Sequence, residues 1–309
     1  MTSTRRERGD RRPTRGDRGA APKPGVKEPV TVEEVLRWLE RHGKRSTVEG
    51  MARYGIPSDG AYGVTVGELR AFAKGIEREH RLAQALWSSG RYEARMLAAF
   101  VDDPAAVTVS QMDVWAGEFN SWAICDTVCF ALFDRTPHAW SRVHAWSGAR
   151  PLFTKRAAFA LLWGLTVHDK AAPDRAFLES LPLIETAALD ERDLVKKGVD
   201  MALRALGKRN EALRRAAVTL ANRLASSSQG SQAWIGRNSL RELSRRRARA
   251  GGRAHMRGDP AEAFASGVPR ELVEGGPGHA PRPGESRSAM SAADASNSPS
   301  CSRCRDERT

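Results

Sequence analysis

Apolar residues recur every three to four positions through most of residues 31–249, which is the spacing of one face of an α-helix. No run of β-branched residues alternates with polar ones as a half-buried strand requires. Thr31-Val-Glu-Glu34 and Thr65-Val-Gly-Glu68 are capping-box signatures, in which the threonine and glutamate side chains each accept a hydrogen bond from the other residue's backbone N–H. The pattern predicts an all-α chain.

A dozen short helices follow from this pattern, with breaks at glycine and proline. Beyond the two capping boxes, helices are predicted near 81–89, 91–101, 109–118, 121–133, 138–146, 152–167, 174–189, 191–207, 211–226 and 231–248. Short connections imply antiparallel hairpins, and roughly 35–40 residues per hairpin is the repeat of α-solenoids of the HEAT type. A globin-like or irregular bundle is the alternative, and the spacing favours the solenoid.

The two ends of the chain differ in composition from its middle. Residues 1–27 hold nine basic and three acidic side chains, residues 245–309 hold twelve and eight, and residues 28–244 hold 29 and 26. The ends are rich in Gly, Pro, Ser and Arg and poor in large apolar residues, so we expect disordered basic tails at 1–30 and 250–309. One domain is expected at 31–249, and it is nearly neutral.

Several classes of protein do not fit the sequence. No uncharged apolar run approaches the roughly 18 residues that cross a bilayer, and residues 1–27 lack the apolar stretch of a secretory signal. We therefore expect a cytoplasmic protein with no membrane partner. Cys301 and Cys304 form a lone C-x-x-C without a second ligand pair, so we expect no metal, and no motif suggests a cofactor.

The segment from Phe119 to Phe133 carries the most unusual pattern. If Ser121 caps its helix, Trp122 and Asp126 lie four residues apart on one face, which presents an aromatic plane beside a carboxylate. The bland interpretation is a core tryptophan beside a solvated or arginine-paired aspartate.

Arg156 lies in a helix that is apolar on every side after its first turn. A buried cation needs an anionic partner, because an unpaired buried charge is very costly. That partner is either a phosphate or an acid on the neighbouring helix, with Asp126 as one candidate.

Basic residues also cluster in 191–207 and just beyond it. Val195, Val199, Ala202 and Leu206 form the packing stripe, and Lys196, Lys197, Asp200 and Arg204 are predicted to lie outside it. Pairs four residues apart, such as Lys196–Asp200 and Asp200–Arg204, contribute only tenths of a kcal/mol. The cluster is either an ordinary solvated face or a phosphate-contact surface that continues through Lys208 and Arg209.

The ordered combination of these segments resembles the AlkD-like DNA alkylation repair family over roughly residues 45–245. The matching blocks are Arg91-Tyr-Glu-Ala-Arg95, Asn120-Ser-Trp-Ala-Ile-Cys-Asp126, Lys155-Arg-Ala-Ala-Phe-Ala160, Val195-Lys-Lys-Gly-Val199 and Leu203-Arg-Ala-Leu-Gly-Lys-Arg-Asn210.

The resemblance implies a HEAT-like solenoid whose concave surface holds duplex DNA, and a glycosylase that removes cationic N3- or N7-alkylated purines. Trp122, Asp126 and Arg156 match the family's catalytic positions, whereas Met201 stands where the family usually has a second tryptophan. The residues expected to contact DNA are Lys155, Lys196, Lys197, Met201, Arg204, Lys208 and Arg209. We expect a monomer.

Two other functions remain open at this point. A non-catalytic DNA-binding scaffold could keep the fold and the basic surface, and Met201 is the best argument for it. A protein-binding HEAT scaffold would need neither the Trp–Asp pair nor arginine-rich tails. Release of N7-methylguanine distinguishes the glycosylase from the two scaffolds, and DNA affinity distinguishes the DNA-binding scaffold from the protein-binding one.

The charge of the tails yields a prediction about salt. Deleting 1–27 and 250–309 should weaken binding to undamaged DNA and flatten its salt dependence, because each lost phosphate contact lowers the log–log slope by about one. The measurement is a salt titration of the full and shortened chains. An identical slope would show that the tails do not touch DNA.

Overall fold

The computed structural model describes residues 30–250, with side chains as far as Ser244, and every regular element in that range is helical. The helices are α1 (Val32–His42), α2 (Arg45–Met51), α3 (Val66–Ala73), α4 (His80–Ser88), α5 (Tyr92–Val101), α6 (Val109–Gly117), α7 (Trp122–Ala131), α8 (Ala139–Ser147), α9 (Leu152–His168), α10 (Asp174–Glu179), α11 (Leu181–Ala187), α12 (Asp193–Arg209), α13 (Glu211–Ala225) and α14 (Gly230–Ala250). The all-α prediction is confirmed. The predicted tails lie outside the described residues.

Both predicted capping boxes form, at Thr31 with Glu34 and at Thr65 with Glu68. Two helix predictions need correction. Helix α2 was missed because it is seven residues long and buries only Met51, which leaves no apolar period to recognise. The predicted helix 174–189 is two helices, because Pro182 has no N–H to donate and its ring excludes the carbonyl four residues earlier.

The helices form two rows. In the inner row α5, α7, α9, α12 and α14 pack side by side in that order, and in the outer row α4, α8 and α13 each pack on the inner helix that follows in the chain. Arg156 near the start of α9 contacts Leu194 at the start of α12, and Arg209 at the end of α12 contacts Thr166 near the end of α9. Helices α9 and α12 are therefore parallel, and the fold is the predicted α-solenoid.

Within residues 30–250, no helix combines the length and the apolarity that crossing a bilayer demands.

Glu93 on α5 fixes the loop that leads into α3. The residue is 1% exposed, and its carboxylate accepts hydrogen bonds from the backbone N–H groups of Gly63 at 2.6 Å, Tyr62 at 2.9 Å and Val64 at 3.3 Å. Gly63 adopts φ +86°, and a Cβ there would lie 2.2 Å from the carbonyl oxygen of Lys44. A buried carboxylate and a required glycine thus shape this loop together.

Replacing Glu93 should therefore cost stability. Glu93→Ala leaves three backbone donors without their acceptor, so the free energy of unfolding should fall by about 2–4 kcal/mol. Urea titration measures the change. Glu49→Ala is the control, since the Glu49 side chain is 63% exposed and its loss should fall within about 0.5 kcal/mol. Equal losses in the two variants would contradict the assigned role of Glu93.

Candidate functional site

Helix α7 begins at the predicted cap, where the Ser121 hydroxyl accepts a hydrogen bond from the backbone N–H of Ile124. Every residue from Trp122 to Phe130 is buried, because the helix is apolar on nearly all sides. Trp122 keeps 6% of its surface exposed, and its indole Nε1 donates to the backbone oxygen of Tyr54 at 2.9 Å. The indole ring is therefore held at the first turn of α7.

One turn further along, Asp126 forms a bidentate ion pair with Arg156 of α9. Arg156 Nε donates to Asp126 Oδ1 at 2.9 Å, and Nη2 donates to Oδ2 at 2.6 Å. The third guanidinium nitrogen, Nη1, donates to the backbone oxygen of Leu194 at 2.6 Å. Since both residues are 1% exposed, Arg156 joins α7, α9 and α12 inside the protein.

The surroundings favour the charged form of Arg156. Burial by itself lowers the pKa of Arg156, but the carboxylate of Asp126 and its hydrogen bonds outweigh that effect, so the pKa is raised. Removing one partner of such a pair typically costs about 3–5 kcal/mol because the other charge stays buried. Of the two partners that the sequence left open for Arg156, the structure contains the aspartate.

Two cysteines align α7 with α9. The thiol of Cys125 donates to the backbone oxygen of Phe153 and that of Cys129 to the backbone oxygen of Ala157. Burial raises the pKa of Cys129 well above its usual value, so this thiol stays protonated and unreactive. The pair Cys301 and Cys304 lies outside the described residues. Among residues 30–244, no three ligating side chains come close enough to hold a metal ion.

Met201 lies on the face of α12 opposite its packing stripe and is 6% exposed. Lys197 and Lys208 fall on the same face by helical periodicity. We call this face, with Lys197, Met201 and Lys208, the inner face of α12. Gly198 faces α9, and a Cβ there would lie 3.4 Å from Cγ of Arg156. Arg156 therefore fills the space beside Gly198.

Asp200 and Arg204 are not on a solvated face, contrary to the sequence prediction. Both are buried, at 2% and 7% exposed, and Arg204 Nε donates to Asp200 Oδ2 at 2.9 Å. Asn238 and Ser239 of α14 also donate to the Asp200 carboxylate. Lys196 pairs with Asp193 rather than with Asp200. The reason is that α14 covers this side of α12, which no local pattern reveals.

The other basic residues predicted to bind DNA fall into two groups at opposite ends of α12. At its start, Lys155 pairs with Asp190 at 3.0 Å, and Lys197 is half-buried. At its end, Lys208 pairs with Glu242 at 3.0 Å. The guanidinium of Arg209 donates to the backbone oxygens of Thr166, Lys170 and Ala172 and lies 4.4 Å from the ring centroid of Phe177.

Sequence reasoning missed the contacts that position these groups. The Tyr54 carbonyl that holds Trp122 is 68 residues away in the chain. Asp190, which pairs with Lys155 and Arg192, organises the segment before α12, and these partners lower its pKa. No local signal marks either residue. The resulting site is a buried carboxylate that pairs with a guanidinium, one helical turn from an indole that keeps 6% of its surface exposed.

No curated protein matches the chain. A solved structure, described as "a new family of proteins related to the HEAT-like repeat DNA glycosylases with affinity for branched DNA structures", shares the fold. Its TM-score is 0.61 at 21% sequence identity, over 71% of this chain and 96% of that one. Residues 35–250 match the model of the family described as DNA alkylation repair enzyme. Because that match spans more than half of the chain and includes α7, α9 and α12, the protein belongs to the DNA alkylation repair enzyme family.

Proposed function

We propose that this protein is a DNA glycosylase that excises cationic N3- or N7-alkylated purines from duplex DNA. The observation that carries the proposal is the Asp126 carboxylate, held through both oxygens by Arg156 one turn from Trp122. The family membership supports a role in alkylation repair, and the site supplies the groups that this chemistry needs.

The proposed reaction is a hydrolysis that needs no acid on the leaving group. An alkylated purine already carries a positive charge, so the N-glycosidic bond breaks with its electron pair going to the base, which leaves neutral. Water adds to C1′ of the sugar and releases its proton to solvent. An ordinary glycosidase uses two carboxyl groups, one of them as acid. Here one carboxylate is sufficient, and Asp126 stabilises the oxocarbenium sugar and orients the water.

Arg156 acts as a positioning residue in this scheme. It holds the Asp126 carboxylate in one orientation through both oxygens, so no reorganisation is needed as charge develops. Trp122 lies against the cationic nucleotide, with a cation–π attraction of about 0.5–2 kcal/mol. Trp122 and Met201 each keep 6% of their surface exposed, and in this scheme the lesion approaches the carboxylate past these two side chains.

Phosphate contacts are assigned to the two basic groups that flank this site. Lys196 and Lys197 are at the start of α12, and Lys155 of α9 lies near them through its pairing with Asp190; Lys208 and Arg209 are at the end of α12. The twelve steps from 196 to 208 span about 18 Å of helix, so the two groups reach different phosphates. Arg204 lies between the groups and supports Asp200.

A second candidate function is a non-catalytic DNA-binding protein. Two observations favour it: the Asp126 carboxylate is 1% exposed, and Met201 replaces an aromatic residue that the AlkD-like pattern contains. Branched DNA is the relevant binding substrate, because the solved protein of similar fold is described as having affinity for it. Release of N7-methylguanine from duplex DNA decides between the two functions, because only the glycosylase produces free base.

The first prediction from the proposed function concerns charge at the reacting sugar. Asp126→Asn should lower the single-turnover release of N7-methylguanine by about 100-fold or more, because it removes the negative charge and keeps the shape. Affinity for undamaged duplex should stay within about twofold.

The Asp126 variant also loses a buried ion pair, so its stability needs a matched control. Asp200→Asn weakens a similar buried pair in the same row of helices, with a comparable loss of up to about 3–5 kcal/mol. Melting curves should show both losses, while only Asp126→Asn should lose excision. Equal excision by the two variants would remove the catalytic role from Asp126.

The second prediction concerns the missing aromatic ring. Met201→Trp should speed release of a cationic purine by about 2- to 30-fold, since cation–π attraction contributes about 0.5–2 kcal/mol and methionine has no π face. Because Arg156 fills the neighbouring space, the larger ring should also cost about 1–3 kcal/mol of stability.

Met201→Leu is the control for this variant, because leucine changes the shape without adding a π face. Its excision rate should stay near that of the parent. A folded Met201→Trp protein that is no faster than the leucine variant would show that position 201 does not contact the lesion.

A further inference from the structure

Helix α14 closes the inner row, and its two neighbours leave one of its faces uncovered. On one side, Asn238 and Ser239 donate to Asp200 of α12 at 2.7 and 2.8 Å. On the other, Gly236 packs against α13 so closely that a Cβ there would lie 2.2 Å from the backbone nitrogen of Ala225. The remaining face carries Trp234, Arg237 and Arg241, and we call it the α14 arginine face.

The α14 arginine face carries positive charge without internal compensation. Arg237 and Arg241 are exposed, and among the residues whose side chains the structure describes no carboxylate pairs with either. Their spacing of four residues puts them side by side, where like charges destabilise a helix. The ammonium of Lys196, which pairs with Asp193, lies 5.2 Å from the ring centroid of Trp234.

Exposed arginines elsewhere on the helices are of two kinds: Arg175 and Arg223 have a carboxylate partner, whereas Arg81 and Arg215 have none among the described residues. What distinguishes Arg237 and Arg241 is their position on the helix that packs beside α12. The helix itself continues to Ala250, and its sequence adds Arg245-Arg246-Arg247 and Arg249. A face of this charge, next to a basic helix that is already assigned to DNA, is complementary to a polyphosphate chain.

We propose that the α14 arginine face binds the phosphates of undamaged duplex on one side of the lesion. The inference rests on the proposed function, because it takes Asp126 and Arg156 as the position of the lesion. Helix α14 is two helices from α9 in the inner row. At about 8–10 Å between neighbouring axes, the face lies roughly 20 Å from Arg156. That distance corresponds to about six phosphates along a strand.

The face is tested with the full chain and two double variants of equal charge. Arg237→Gln with Arg241→Gln removes the face. Arg81→Gln with Arg215→Gln removes two exposed arginines from the outer-row helices α4 and α13, which likewise have no carboxylate partner among the described residues. Both variants lower the net charge by two, so general attraction to DNA changes equally and only position differs.

Binding to undamaged duplex is measured as a function of salt. The log–log slope should fall by about two in the α14 variant and by less than about 0.5 in the outer-row variant. Equal slopes in the two variants would overturn the proposal, because the face would then act only through its net charge. Melting curves of both variants verify that they are folded.

Duplexes that carry one N7-methylguanine then locate the contact. Three duplexes are compared: one has long flanks on both sides of the lesion, and in each of the other two a different flank is trimmed to about three base pairs. That length is well short of the roughly six base pairs that separate the α14 arginine face from the site. The difference between the parent and the α14 variant should disappear when one particular flank is trimmed and persist when the other is trimmed. A difference between the parent and the α14 variant that persists when either flank is trimmed would contradict the assigned position.

The outcomes distinguish this inference from the proposed function. At saturating protein, the α14 variant should release base at the parental rate. If the parent protein releases no base and the α14 variant has a lower log–log salt slope, the glycosylase proposal is wrong and the proposal of a DNA-binding face is supported. If the parent protein releases base and the α14 variant keeps the parental salt slope, only the proposal of a DNA-binding face is wrong.

Discussion

The buried ion pair between Asp126 and Arg156 is the interaction on which the arrangement of the inner helices depends. Its carboxylate comes from α7, its guanidinium from α9, and the remaining guanidinium nitrogen binds the backbone of α12. Neither charged group is solvated by water, so each requires the other as its partner. The pair therefore joins three neighbouring helices of the inner row near their N-terminal ends and holds the carboxylate there.

Buried carboxylates recur at the junctions of this solenoid. Glu93 ties α5 to a loop, Asp134 ties the turn after α7 to His168 of α9, and Asp200 ties α12 to α14. Burial raises the pKa of Asp134 and of Asp200, while the partners of each oppose that shift. Because Asp126 belongs to this structural series, stability and the proposed chemistry depend on the same side chain, and only a matched pair such as Asp200–Arg204 can separate them.

The positive charge of the surface depends on which Lys and Arg side chains have a carboxylate partner. The helical part of the chain is nearly neutral, so a DNA-binding surface depends on where carboxylates are absent rather than on a large excess of Lys and Arg. On α12, Lys196 and Lys208 have acidic partners, which hold them at the two ends of the helix. On α14, the exposed arginines have no such partners among the described side chains. Charge thus becomes less compensated toward the end of the inner row.

The sequence by itself determined the helices and their order, since apolar period, capping boxes and proline breaks are local signals, and it singled out Trp122, Asp126 and Arg156. It failed where a signal was short, as in α2, or where contacts came from distant segments. Only the tertiary structure decided that Arg156 pairs with Asp126, that Asp200 and Arg204 are buried, and that Arg156 fills the space beside Gly198. The physical reason is that a helical period gives the direction of a side chain around its own axis, whereas its partner depends on which helix packs there.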